Sequence, residues 1–169
     1  MPRLGNYIGE NTHLGTLFFD GRSDRLAEAI VGNEAFFDGL KRNTSIKLLR
    51  LGNFDFSGGV GHEILNKYVL NNTNLYEFYA RHCNLLNGGA GVLKSTLSTC
   101  RNVRWLSLEG CNIDDDSLNE LAGGFTGMSE LHDFDLSHNN FGVSGCWAIA
   151  TLLQNSRCNL ESIGLTNTE

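Results

Sequence analysis

Apolar side chains recur along this chain at a spacing that neither a regular helix nor a long strand produces. In the stretch 131–141, LHDFDLSHNNF, they fall at Leu131, Phe134, Leu136 and Phe141, with Asn139 between the last two. Phe134 and Leu136 are two apart and point to one side of an extended chain, while Asp133, Asp135 and Ser137 point to the other. Asn139 follows where the chain must bend, and its amide can satisfy backbone groups that the bend leaves unpaired. The pattern predicts one short strand and a forced turn.

The same template fits elsewhere. It lands on Val103, Leu106, Leu108, Cys111 and Ile113, on Leu75, Phe78, Ala80, Cys83 and Leu85, and on Ile46, Leu49, Leu51, Phe54 and Phe56. Leu14, Leu17 and Phe19 precede these with Arg22 in the turn column, and Leu160, Ile163, Leu165 and Thr168 follow. First positions at 14, 46, 75, 103, 131 and 160 are separated by 32, 29, 28, 28 and 29 residues. A period this regular predicts stacked units, with irregularity expected at Arg22, Phe54 and Thr168.

Between the strands an apolar pair four residues apart recurs: Phe36 and Leu40, Ile64 and Tyr68, Leu93 and Leu97, Leu121 and Phe125, Ile149 and Leu153. Such pairs share one face of a helix, so each unit reads as strand, turn, helix and return. Helix starts are punctuated at Ser57, Gly58 and Gly59, at Asn87, Gly88 and Gly89, and at 142–145. Asp114, Asp115 and Asp116 occupy that position in their unit, where carboxylates cap free N–H groups and suit the helix dipole.

The strand pattern LxxLxLxx(N/C)x(L/I) resembles the leucine-rich repeat. Unit length, the helical return and Cys83 and Cys111 in the turn column resemble its ribonuclease-inhibitor type, found also in the Ran GTPase-activating protein, tropomodulin and the sensor end of NOD-like receptors. The resemblance covers nearly the whole chain. It implies an α/β leucine-rich-repeat solenoid, a horseshoe with a parallel concave sheet of six strands and helices on the convex side. It also implies a protein-interaction scaffold or recognition domain, with a GTPase-activating protein resembling the Ran regulator as the alternative. No functional residue of that regulator carries over, because no motif matches beyond the repeat frame.

The expected organisation is one domain over residues 1–169 with about five to six repeats. Leu4 and Ile8 sit at helix-pair spacing before Leu14, so a helix is expected there, made poor by Gly5 and Gly9. The chain stops directly after the strand in 160–165. It is expected to be a segment of a longer array, or else to have its open edge closed by another chain.

Composition narrows the partners. A net charge of -6 argues against simple attraction to nucleic acid or to an anionic membrane. No apolar run approaches the roughly 20 residues that span a bilayer, and MPRLGNYIGEN lacks the apolar core of a signal peptide. The five cysteines, Cys83, Cys100, Cys111, Cys146 and Cys158, form no CxxC pair, which suits free thiols in a reducing, cytoplasmic setting. The glycosylation-type triplets at Asn43 and Asn71 lie just ahead of strands, where polar turn residues are expected anyway.

With the template residues inward, the residues between them line the concave sheet in three columns. The third position holds Thr16, Leu48, Glu77, Trp105, Asp133 and Ser162. The fifth holds Phe18, Arg50, Tyr79, Ser107, Asp135 and Gly164, and the seventh Asp20, Gly52, Arg81, Glu109, Ser137 and Thr166. Trp105 and Tyr79 fall on neighbouring strands near Leu48, Phe18, Arg50 and Arg81, and Trp, Tyr and Arg most often dominate interface energy. Glu109, Asp133 and Asp135 make the later half acidic, which would steer a protein partner with a basic face. The candidate partner-binding residues are therefore Leu48, Arg50, Glu77, Tyr79, Arg81, Trp105, Glu109, Asp133 and Asp135. The competing reading is that the rings only stabilise the sheet, at about 0.2–1 kcal/mol per cross-strand pair.

Catalytic chemistry is not expected, nor a cofactor. His132 and Asp133 are consecutive and face opposite ways, and His82 and His138 occupy equivalent turn positions. Asp114, Asp115 and Asp116 lack the alternating ligands of a calcium loop, and the recurring Gly pairs are followed by no GK(S/T).

Overall fold

The structure, a computed structural model, describes residues 2–22, 33–67 and 73–168. Its elements alternate: α1 Pro2–Glu10, β1 Thr16–Asp20, α2 Glu34–Arg42, β2 Leu48–Gly52, α3 Gly59–Lys67, β3 Glu77–Arg81, α4 Gly89–Leu97, β4 Trp105–Ser107, α5 Asp115–Phe125, β5 Asp133–Asp135, α6 Val143–Gln154 and β6 Ser162–Gly164. The six strands form one open sheet in sequence order, every neighbouring pair parallel. A helix returns the chain between described strands, as parallel pairing requires.

Burial follows the repeat template. Ile46, Leu49 and Leu51, Leu75, Phe78 and Ala80, Val103, Leu106 and Leu108, and Leu131, Phe134 and Leu136 are each at most 3% exposed. The matching residues of the first and last units are only half-buried, and Leu165 is 39% exposed. A unit with one neighbour covers one side only, so its ladder residues keep part of their surface in water.

A left-handed residue makes the turn directly after β2 and β3 and three residues after the ends of β4, β5 and β6. Asn53, His82, Gly110, His138 and Asn167 have φ of 59, 53, 64, 59 and 52°. Asn and His are among the side chains enriched at such left-handed positions, and glycine takes them freely. His82 and His138 are thus accounted for as turn residues.

The turn column then secures neighbouring units. Asn139 Nδ2 donates to the carbonyls of Leu108 and Leu136, each at 2.8 Å, and Oδ1 accepts from the N–H of Cys111 at 2.9 Å and Ile113 at 3.0 Å. Cys83 and Cys111 direct their sulfurs at the carbonyls of Leu51 and Ala80. Thr168 Oγ1 donates to the Leu165 carbonyl at 3.2 Å, matching the Asn139 to Leu136 bond. Phe54 fills its place by stacking on Phe56, ring centroids 5.9 Å apart. Only Arg22 leaves the core: it is exposed and pairs with Asp20 at 2.7 Å.

The helical pairs hold where both members are described, with one exception. Phe36, Leu40, Leu93, Leu97, Leu121, Phe125 and Ile149 are buried, but Leu153 is 50% exposed because no helix is described beyond α6. The Ile64 side chain, Tyr68 and Asn71 lie outside the described residues.

Two local expectations gain detail. Gly5 lets α1 touch α2: a Cβ at Gly5 would strike the Ala35 carbonyl, and one at Gly39 would strike the Gly5 carbonyl. Ile8 is buried there while Leu4 is 47% exposed. Asn43, buried at the end of α2, binds back to α1 through Nδ2 to Ile8 O at 2.6 Å and to Asn11 O at 2.8 Å. The aspartates divide their work across units. Asp114 caps α5, accepting from Ser117 N at 2.8 Å, whereas Asp115 reaches the next unit and accepts from Gly142 N at 2.9 Å and Gly145 N at 2.6 Å at the start of α6.

Candidate functional site

The parallel register makes the inner columns real neighbours. Thr16, Leu48, Glu77, Trp105, Asp133 and Ser162 are successive partners, as are Phe18, Arg50, Tyr79, Ser107, Asp135 and Gly164. Asp20, Gly52 and Arg81 continue the seventh column. Strand spacing of about 4.8 Å therefore sets the distance between adjacent backbones along each column.

The fifth column carries an aromatic and cationic stack. The Arg50 guanidinium sits between the Phe18 ring, 5.0 Å away, and the Tyr79 ring, 4.7 Å away. Arg81 lies 5.2 Å from the same Tyr79 centroid. Tyr79 Oη donates to Glu77 Oε2 at 2.8 Å, and partial burial followed by that bond pushes the phenol's pKa up. It stays a neutral donor at physiological pH.

Arg81 joins this stack to the acidic half. Its Nε donates to Ser107 Oγ at 3.0 Å and lies 3.3 Å from Glu109, and its Nη2 is 3.9 Å from Asp135. Ser107 Oγ in turn donates to Asp135 Oδ2 at 3.3 Å. Arg81 thus offsets one of the two negative charges of Glu109 and Asp135. Such partly exposed pairs add little stability, about 0–1 kcal/mol, but they hold the side chains in place.

Trp105 lies on the same face as Tyr79 and the two share one cleft, but their rings are not the pair that meets. Trp105 faces Tyr76 with centroids 6.3 Å apart, while Tyr79 is taken up by the two arginines. Leu48 is half-buried in the third column beside Thr16 and Glu77.

Tyr76, Arg104 and Glu130 were not anticipated as part of this surface. Arg104 Cζ stands 5.1 Å from the Tyr76 centroid, Nη1 donates to Tyr76 Oη at 3.0 Å, and Nη2 reaches Glu130 at 3.2 Å. Tyr76 and Arg104 lie one residue ahead of β3 and β4, where the backbone ladder already runs, with Tyr76 N on Lys47 O at 2.7 Å and Arg104 N on Tyr76 O at 2.8 Å, and Glu130 lies three residues ahead of β5. Extending the three columns by one residue towards the N-terminus would have exposed Tyr76 and Arg104.

Two open clefts of about 430 Å³ each share Tyr79 and Arg81 as a common wall. One includes Phe18, Arg50 and Gly52, and the other Trp105, Ser107, Asp133 and Gly164. Among the described residues no group of three His, Cys, Asp or Glu is placed to hold a metal ion, and no helix is long and apolar enough to cross a membrane. The thiols divide by depth: burial pushes Cys83 up to about 12 and Cys100 up to about 11, and raises Cys111 as well, whereas Cys146 is exposed.

An open, all-parallel sheet with one covering helix per unit and a turn ladder of Cys and Asn is the architecture of a leucine-rich-repeat solenoid. No protein-family model matches the chain, and no curated protein matches it. Among solved structures, an internalin from Listeria monocytogenes is similar over 78% of this chain and 51% of its own, at 13% identity and a TM-score of 0.27. This chain thus spans about half the length of that internalin. The fold rests on register and burial.

Proposed function

We propose that this chain is a non-enzymatic, cytoplasmic recognition scaffold of the ribonuclease-inhibitor repeat type that binds a protein partner on its concave sheet. The observation that carries the reading is the row Phe18, Arg50, Tyr79 and Arg81, with Trp105 alongside, held on strands whose register leaves these side chains accessible. Phe18 is 60% and Trp105 42% exposed, which leaves both rings available to a partner. Rings and guanidinium groups immobilised before contact lose little entropy on docking, which favours them as anchors. The scaffold contacts its partner with Leu48, Arg50, Glu77, Tyr79, Arg81, Trp105, Glu109, Asp133 and Asp135. Neither nucleic acid nor membrane is its target.

The test compares three forms of the chain as baits, quantified by mass spectrometry: the native protein, Tyr79→Ala/Trp105→Ala, and Val143→Ala/Trp147→Ala on the convex helix α6. Partners retained by the native and convex forms and lost from the concave double variant are the expected result. Partners kept by a folded concave variant, or lost from the convex one alone, would place recognition elsewhere.

A further inference from the structure

Most charged side chains of the three inner columns have a hydrogen-bond or ion-pair partner. Asp20 is bound by Arg22 and Asn53, Glu77 by Tyr79, and Glu109 and Asp135 by Arg81. Two do not. Arg50 is covered by the rings of Phe18 and Tyr79 but meets no carboxylate or other acceptor, and the Asp133 carboxylate meets no donor or cation, among the described residues.

Each unpaired charge lies in its own cleft, on opposite sides of the wall formed by Tyr79 and Arg81. A guanidinium fixed between two rings has its plane set in advance and its N–H donors unused, which suits a carboxylate bound by two parallel hydrogen bonds. Asp133 is the register partner of Trp105, so an incoming ammonium or guanidinium would meet an aromatic side chain and a carboxylate together.

We propose, building on the docking reading above, that the concave wall recognises a bipolar segment of its partner: an Asp or Glu seated at Arg50 and a Lys or Arg seated against Trp105 and Asp133. Arg50 and Asp133 are three strands apart and two residues apart along the strand, so their backbones are separated by about 14 Å across the sheet and about 7 Å along it. An extended segment spans that diagonal in about four to five residues. The partner's acidic group lies on the β2 side and its basic group on the β5 side. A uniformly basic face would leave Arg50 unmatched and be repelled by it.

The test is selection of random twelve-residue displayed peptides on the native chain, followed by anisotropy titration of the selected peptides. The expected consensus pairs one carboxylate and one cation at a fixed offset of about four to five residues. Arg50→Gln and Asp133→Asn should each weaken binding about tenfold, and Arg50→Glu/Asp133→Lys should select the same motif with its charges exchanged. Peptides that need Tyr79 and Trp105 but ignore Arg50→Gln and Asp133→Asn would overturn the bipolar assignment and leave the docking surface standing. Peptides indifferent to all four residues, or no selected peptide at all, would count against both.

Discussion

Replacing Asn139 by alanine tests the turn ladder at its best-connected point. The side chain is 4% exposed and serves five backbone groups: the carbonyls of Leu108, Leu136 and Ser137 and the N–H groups of Cys111 and Ile113. Alanine leaves all five without that partner in a place water does not reach freely. At about 1 kcal/mol net per hydrogen bond, the loss is about 3–5 kcal/mol. For a chain of this size that lowers Tm by about 10 °C. Asn139→Cys supplies the residue that occupies this column at Cys83 and Cys111, where sulfur is directed at a carbonyl of the preceding unit. It keeps one weak donor and loses the acceptor, so its cost should be about 2 kcal/mol. Urea and thermal unfolding followed by circular dichroism measure both variants. An alanine cost below about 1 kcal/mol, or a cysteine variant no more stable than the alanine one, would refute the reasoning.

Further expectations follow from other contacts. Gly39→Ala places a Cβ into the Gly5 carbonyl and should free α1 from α2, seen as faster amide exchange over Pro2–Glu10 with β4, β5 and β6 unchanged. Under mildly alkaline conditions iodoacetamide should modify Cys146 in the folded chain and spare Cys83, Cys100 and Cys111, whose burial keeps them as thiols; modification of Cys111 ahead of Cys146 would contradict the burial. Asp114→Ala removes the α5 cap at a cost of about 1 kcal/mol at neutral pH. Ser117 lowers the Asp114 pKa through its side chain and its N–H, so this contribution is complete above the unfolded value of about 3.9 and is lost as pH falls through the lower folded value. Stability curves for the wild type and Asp114→Ala should therefore converge in acid. A small-GTPase panel should show no faster GTP hydrolysis with this chain, and stimulation of any member would favour the regulatory alternative over the scaffold.

The inner wall was legible because two periodicities coincide. Alternation within a strand selects the inward face, and a repeat length of 28 or 29 residues keeps Glu77, Trp105, Asp133 and Ser162 in one parallel register. Pairing within a column was harder to read, since it depends on side-chain reach. Trp105 turns to Tyr76, and Arg81 spans two columns to pair with Glu109 and Asp135. The face expected to be simply acidic is for that reason mixed, with Arg50 the cation and Asp133 the carboxylate that meet no ionic or hydrogen-bond partner among the described residues. Contacts between units outside the strand frame left no periodic trace. Gly5 against Gly39 and Asp115 across to Gly142 and Gly145 join residues whose partners lie about one unit away, with no recurrence to mark them.

Recognition by the concave wall is most directly tested by hydroxyl-radical footprinting of the chain with and without its captured partner. The account predicts protection of Phe18, Tyr79 and Trp105 in the complex and unchanged oxidation of Val143 and Trp147 on the convex helix. Protection of Val143 and Trp147 with Phe18, Tyr79 and Trp105 still fully reactive would contradict it.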